Sequence, residues 1–280
     1  MNLKKEYLEY LSSSEDFSPE YIKDSIYKGK ILVFRNFPQI IEINNLCKKY
    51  FKKILKKELK PFLSSKDQTN IGLEKLIFTL QKEIKTCKLI KKAFSSFLEN
   101  IKFEIDDTFC DKITLRFSPE KNVNPLGFLK PVGPHRDTWA SNVFHQINWW
   151  FPIHDVDKDY SIYISPYYFC KKVKNDSNNW SFKLFKKKGN FLSTPVSVEK
   201  LDEQKKIKLS VKFGEVLCFS GNHLHGSSIG LKKRINIETR TVCSKDPKKY
   251  KIPKNIDSNN KKKKYEWFKS LLDNSSYPDV

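Results

Sequence analysis

The chain has 280 residues, with 53 Lys and Arg against 32 Asp and Glu, a formal net charge of +21 and a pI near 9.5. A hydrophobic fraction of 39% with 14% aromatics excludes a disordered polycation, because such chains lack the apolar surface to fold. No apolar run approaches the roughly 20 residues of a membrane-spanning helix. The opening MNLKKEYLEY carries charges where a signal peptide needs its apolar stretch, so a cytoplasmic protein is expected.

In chain order, the capping residue Ser18 predicts a helix over 19–28. The β-branched and aromatic run 31–34, ended by Asn36-Phe37-Pro38, predicts a strand. Apolar residues at three-to-four spacing predict amphipathic helices over 40–59 and 73–101. From residue 112 the period shortens to two. Strands are expected at 112–117, 144–153, 161–165, 180–185, 207–211, 216–219 and 234–242, with turn clusters at 174–179 and 187–190. Short strands at this spacing indicate an antiparallel sandwich or barrel. The Lys- and Asn-rich end, including Lys261–Lys264, reads as a solvated tail with a short helix over 265–272. The expected fold class is α+β with a mainly β core: one domain, with a helical N-terminal part (1–111), a β core (112–243) and a tail (244–280).

The charge itself says little about partners. Of the 53 basic residues, five are Arg (Arg35, Arg116, Arg136, Arg234, Arg240) and the other 48 are Lys. Alanine occurs twice, while Lys, Asn, Ile, Phe and Tyr abound, as an AT-rich coding sequence would produce. Phosphate and base recognition favours the planar fork of Arg, which is scarce here, and this argues against nucleic acid as the partner. No pair among the six cysteines has C-x-x-C spacing, so buried free thiols are expected.

All five histidines lie between positions 135 and 225. His135-Arg136-Asp137 is an H-x-D. Downstream, the strand candidate Val216–Phe219 runs into Gly221-Asn222-His223-Leu224-His225-Gly226-Ser227. Two imidazoles and a carboxylate on one face of a metal leave three positions open, the facial triad of non-haem Fe(II) oxygenases. Arg234 and Arg240 follow on a strand candidate that places Arg234, Asn236, Glu238 and Arg240 on one face. A guanidinium inside a barrel needs an anion. Glu238 is one candidate; a bidentately held carboxylate of 2-oxoglutarate is the other.

These residues resemble the Fe(II)/2-oxoglutarate-dependent dioxygenases, and within them the phytanoyl-CoA-hydroxylase-like branch. The resemblance spans about residues 112–243. It rests on His135-Arg136-Asp137, on Gln146-Ile147-Asn148-Trp149-Trp150-Phe151-Pro152 leading to the acidic stretch at 155–159, and on the pattern from Gly214 to Ser227 with Arg234 after it. The family often has Asn after its H-G-S, where this chain has Ile229-Gly230, and the step from His225 to Arg234 is short. The resemblance implies a double-stranded β-helix (jelly roll) and His135, Asp137 and His225 as catalytic iron ligands, with His223 as a rival ligand. It implies Arg234 with Ser227, or else Arg240, as the clamp on 2-oxoglutarate, with Arg116 and Asn148 as further co-substrate contacts. Trp139, Gln146, Trp150 and His223 are candidates for lining the substrate pocket, and Trp149 for the sheet core. The implied cofactors are Fe(II), 2-oxoglutarate and O2. The implied reaction hydroxylates a small organic molecule, an anionic one if lysines steer it, and releases succinate and CO2; Asp137 argues against a halogenase. The rivals are an oxidative demethylase of nucleic acid and a non-enzymatic jelly-roll binding module.

Overall fold

The computed structural model describes residues 3–65, 71–121, 131–183 and 192–278. Its strands are β1 (Leu8–Ser12), β2 (Ile31–Arg35), β3 (Thr108–Cys110), β4 (Thr114–Ser118), β5 (Ile147–Pro152), β6 (Ile162–Ser165), β7 (Ile207–Lys208), β8 (Val216–Ser220), β9 (Leu224–Ser227), β10 (Arg234–Cys243) and β11 (Lys269–Ser270). Its helices include α1 (Leu3–Tyr7), α2 (Pro19–Tyr27), α3 (Pro38–Leu55), α4 (Leu59–Ser64), α5 (Ile71–Thr86), α6 (Lys88–Asn100) and α7 (Asp137–Ser141). The large sheet runs β1-β2-β8-β5-β10-β3-β11, with β4 also on β10; the small sheet runs β7-β6-β9. β1 and β2 are parallel, and every other named pair is antiparallel.

Side-chain alternation builds three layers. Leu32 and Phe34 of β2, Ile147, Trp149 and Phe151 of β5, Cys218 of β8, and Ile235 and Ile237 of β10 point to one face of the large sheet. There they meet the apolar stripes of α3, α5 and α6: Ile43, Cys47, Phe51, Ile77, Leu80, Ile90, Phe94 and Phe97. Trp149 is fully buried among the rings of Phe34, Phe94, Phe97 and Phe103, as expected of a sheet-core residue. The intervening residues (Ile31, Val33, Trp150, Leu217, Phe219) face Ile162, Ile164 and Ile207 of the small sheet and form the core between the sheets. β4 and β10 present Arg116, Arg234, Asn236, Glu238 and Arg240 to that same inner side. The interior therefore changes from apolar to charged along one direction, and the site lies at the charged end.

Several expectations change. The N-terminal part is not only helical: β1 and β2 are strands of the large sheet. The single helix expected over 73–101 is two, broken at Cys87, whose backbone is extended (φ −71°, ψ 107°). The expected strand at 180–185 is absent in its described part, where Trp180 and Ser181 are irregular and 182–183 are helical; residues 184–185 and the turn at 187–190 lie outside the described residues. The C-terminal stretch is not a free tail. Residues 265–267 form a 3-10 turn, followed by β11 on β3 rather than a helix, because Phe268 and Ser270 alternate inward around exposed Lys269. Five cysteines are buried free thiols, and Cys170 is exposed. Among the described residues no helix is long and apolar enough to cross a membrane.

Candidate metal centre and anion pocket

The backbones of His135 and His225 pair directly as an antiparallel bridge, with reciprocal N–H···O bonds of 2.8 and 2.9 Å. Directly opposed residues of such a pair share a face, so the imidazole centroids lie 4.2 Å apart. Gly226 permits this packing: a Cβ there would stand 2.5 Å from the Tyr163 hydroxyl oxygen on the neighbouring strand. Asp137 opens α7 beside them. One Asp137 oxygen lies 4.0 Å from His135 Nε2 and the other 3.8 Å from His225 Nε2. The three candidate ligand atoms fall within 4.8 Å of one another.

The other ring nitrogens are committed. His135 Nδ1 faces the Gly133 carbonyl at 2.8 Å and His225 Nδ1 faces the His223 carbonyl at 2.9 Å. A carbonyl only accepts, so each Nδ1 carries a proton, and Nε2 is the ring nitrogen turned to the centre. Burial, with His225 alongside, pushes His135 down to about 3, so it is neutral at physiological pH. Burial alone would raise the Asp137 carboxyl, but the Arg240 guanidinium and the Asn148 amide draw it the other way, and the net shift is downward, so the group is ionised. Asn148 Nδ2 donates to one Asp137 oxygen; Arg240 Nη1 lies 3.7 Å from the other. Two imidazoles and a carboxylate, converging from one side, suit a divalent iron with open positions.

Arg234 lies deeper, 3% exposed. Its Nη2 donates to the Ser118 and Ser227 hydroxyls at 2.9 and 3.0 Å, Nη1 to the Tyr160 and Ser161 carbonyls at 3.0 and 2.7 Å, and Nε to Asn236 Oδ1 at 3.2 Å. Every partner is neutral. Burial pushes its pKa down to about 10, so the charge remains at neutral pH without a carboxylate against it. Beside it, Asn236 Nδ2 and Ser161 Oγ are buried without a hydrogen-bond partner. A guanidinium, hydroxyls with protons to donate and a free amide together form a cradle for a carboxylate.

Arg116 and Arg240 are already paired. Glu238, one candidate anion for Arg234 and Arg240, instead accepts from Arg116 Nε at 2.6 Å. Arg240 grips Asp111 through Nε (3.0 Å) and Nη2, and lies near Asp137, so it does not offer a free clamp. Among the pocket candidates, Trp150 faces the inter-sheet core with the Arg234 guanidinium carbon 5.8 Å from its ring centre. Trp139, Gln146 and His223 are fully buried and do not line an opening. Trp139 packs in a separate small core with Val173, Leu201 and Leu224. Gln146 donates to Asn148 Oδ1 at 3.1 Å behind Asp137. His223 lies between the Gly29 and Ser220 carbonyls (3.0 and 3.3 Å) and against Phe169, so it is a structural histidine and not a rival ligand. Sequence reading missed Ser118, Asn236 and Asp111. Asn236 shares a strand face with Arg234 and was findable; Asp111 reaches Arg240 only through the β3–β10 pairing.

No protein-family model matches the sequence, and no curated protein matches it. Solved structures similar to the chain include a non-heme monooxygenase, ThoJ, in its apo form (9% identity, TM-score 0.44, 75% of this chain and 71% of that one). EvdO2 from Micromonospora carbonacea var. aurantiaca, complexed with 2-oxoglutarate, is similar at 7% identity and TM-score 0.49, over 81% and 92% of the chains. The epimerase SnoN, in complex with Fe3+, alpha-ketoglutarate and nogalamycin RO, is similar at 10% identity and TM-score 0.43, over 80% and 83%. At these values, function rests on the geometry of the site itself.

Proposed function

We propose that the chain is a Fe(II)- and 2-oxoglutarate-dependent oxygenase that hydroxylates a small organic molecule, built on a double-stranded β-helix of the phytanoyl-CoA-hydroxylase-like kind. The observation that carries this reading is the convergence of His135, Asp137 and His225 beside Arg240, on the strand face of β10 that also carries Arg234, a buried guanidinium with no carboxylate partner among the described residues. His135 Nε2, His225 Nε2 and an Asp137 oxygen hold the metal. When bound, iron with 2-oxoglutarate and O2 supplies the oxidising power, with succinate and CO2 as co-products. Arg234 takes the distal carboxylate of 2-oxoglutarate, and Ser227, Ser118 and Asn236 complete its hydrogen bonds. Arg240 and Asn148 keep Asp137 ionised and turned to the centre, and Trp150 excludes water from the Arg234 side.

The substrate enters past the half-exposed Arg116–Glu238 pair and Arg240, whose guanidinium lies 5.1 Å from the ring centre of Trp267, itself 5.5 Å from Phe182. An anionic substrate would have to displace Glu238 from Arg116, so an uncharged molecule with an apolar or ring-shaped body suits this mouth better. The test needs no known substrate. Incubation with Fe(II), 2-oxoglutarate and O2 should yield slow, uncoupled succinate that His135→Ala abolishes. Succinate at background level, with no binding of iron or 2-oxoglutarate, would overturn the reading.

A further inference from the structure

Arg136 stands between two candidate ligands and points away from both, into the protein. It is completely buried. Its Nη1 donates to the Asn222 carbonyl, and its Nη2 to the Tyr168 and Lys171 carbonyls at 2.6 and 2.8 Å. Asn222 belongs to the turn that delivers His225 three residues later. Thr138 N reaches the Gly221 carbonyl of that turn at 3.3 Å. The Arg136 fork therefore ties the segment bearing His135 and Asp137 to the segment bearing His225.

Burying a guanidinium is costly unless its charge is compensated. The compensating group comes from the far end of the chain. Asp257, whose side chain is 6% exposed, accepts from Arg136 Nε at 3.1 Å, from Trp139 Nε1 at 2.7 Å and from Val173 N at 3.1 Å. The backbone around it is docked as well: Asn260 Nδ2 donates to the Ala140 carbonyl at 2.9 Å, and Lys264 N to the Ser141 carbonyl at 2.7 Å. These contacts hold both ends of α7, the helix that carries Asp137.

We propose that Asp257 is a positioning residue for the metal centre: through Arg136 and Trp139 it fixes the spacing between the His135–Asp137 segment and His225. The proposal rests on the metal reading above. It makes the C-terminal segment part of the site's construction, although Asp257 touches neither metal nor co-substrate.

The test is Co(II) affinity, measured by competition with a chromophoric chelator, together with the cobalt absorption spectrum, which reports coordination geometry. Asp257→Asn places an amide donor opposite the Arg136 and Val173 donors. Its Co(II) dissociation constant should rise about 10- to 100-fold, the usual cost of losing an outer-shell partner, with an altered spectrum. Arg136→Lys keeps a charge beside Asp257 but loses the fork to Asn222; it should show a smaller rise, and it decides the matter if Asp257→Asn does not fold. Asp246→Asn, at a buried ion pair remote from this network, should lower the melting temperature yet leave Co(II) affinity unchanged. Folded Asp257→Asn and Arg136→Lys proteins that bind Co(II) within twofold of the unaltered chain would overturn the proposal. Failure of the unaltered chain to bind Co(II) at all would overturn the metal reading beneath it.

Discussion

At the residue scale, the site divides between groups that are free and groups that are committed. Arg234 has no carboxylate partner among the described residues, since its hydrogen bonds go to carbonyls, hydroxyls and an amide. A charge-assisted bidentate contact contributes roughly 1.5–3 kcal/mol. Arg234→Met should therefore weaken 2-oxoglutarate binding about 10- to 100-fold in calorimetric titration while leaving Co(II) binding in place. Equal loss in Arg240→Met and none in Arg234→Met would reverse the assignment. The grouping of His135, Asp137 and His225, and Arg234 as a candidate clamp, were legible in the sequence because H-x-D and H-G-S followed by Arg are local patterns. The fates of Arg116 and Arg240 were not, because Glu238 lies on another strand and Asp111 just past the end of β3, and only register decides which carboxylate meets which guanidinium.

At the scale of elements, the site depends on a close approach of two strands. β9 carries His225 against β6, and the space for Tyr163 exists because residue 226 has no side chain. Gly226→Ala should push β9 off β6 and cost about 1–3 kcal/mol, the usual range for overpacking, read as a lower urea midpoint together with weaker Co(II) binding. Weaker metal binding without loss of stability would place the strain elsewhere. β4 and β10 were readable because half-buried strands write a period of two, and β2 and β8 because short apolar runs bounded by turn residues mark buried strands. β1 was not: Leu8-Glu9-Tyr10-Leu11-Ser12 has no β-branched residue and is held by pairing with β2. The break at Cys87 was hidden for a related reason. No Gly or Pro marks it, and the helix ends so that α5 and α6 can each face the sheet.

For the whole molecule, the two ends of the chain close the structure. Lys23 of α2 and Asp246 form a buried pair at 2.6 Å, and Tyr27 donates to the same carboxylate at 2.6 Å. Breaking a buried pair from one side typically costs about 3–5 kcal/mol, so Asp246→Asn should lower stability by that order in urea unfolding. Acid should act globally too. Burial pushes His145 and His154 each down to about 4. His154 Nε2 accepts the Ile235 N–H at 3.2 Å, which requires the neutral ring. The unfolded chain takes up these protons first, so the contribution is whole above about pH 6.5 and is lost as pH falls towards 4, by up to about 1.4 kcal/mol per pH unit for each histidine. Urea midpoints between pH 7.5 and 4.5 should show that slope, and His154→Gln should reduce it by one histidine's share. The large positive charge plays no visible part in the site. Its lysines lie mostly at the surface, whereas four of the five arginines (Arg116, Arg136, Arg234, Arg240) are within or directly behind the site. The most direct measurement of the central claim is an anaerobic titration of the protein with Fe(II) and 2-oxoglutarate, followed by visible absorption. A charge-transfer band that needs both additions, disappears in His135→Ala and requires far more 2-oxoglutarate in Arg234→Met is the predicted result; no band at saturating concentrations of both would contradict it.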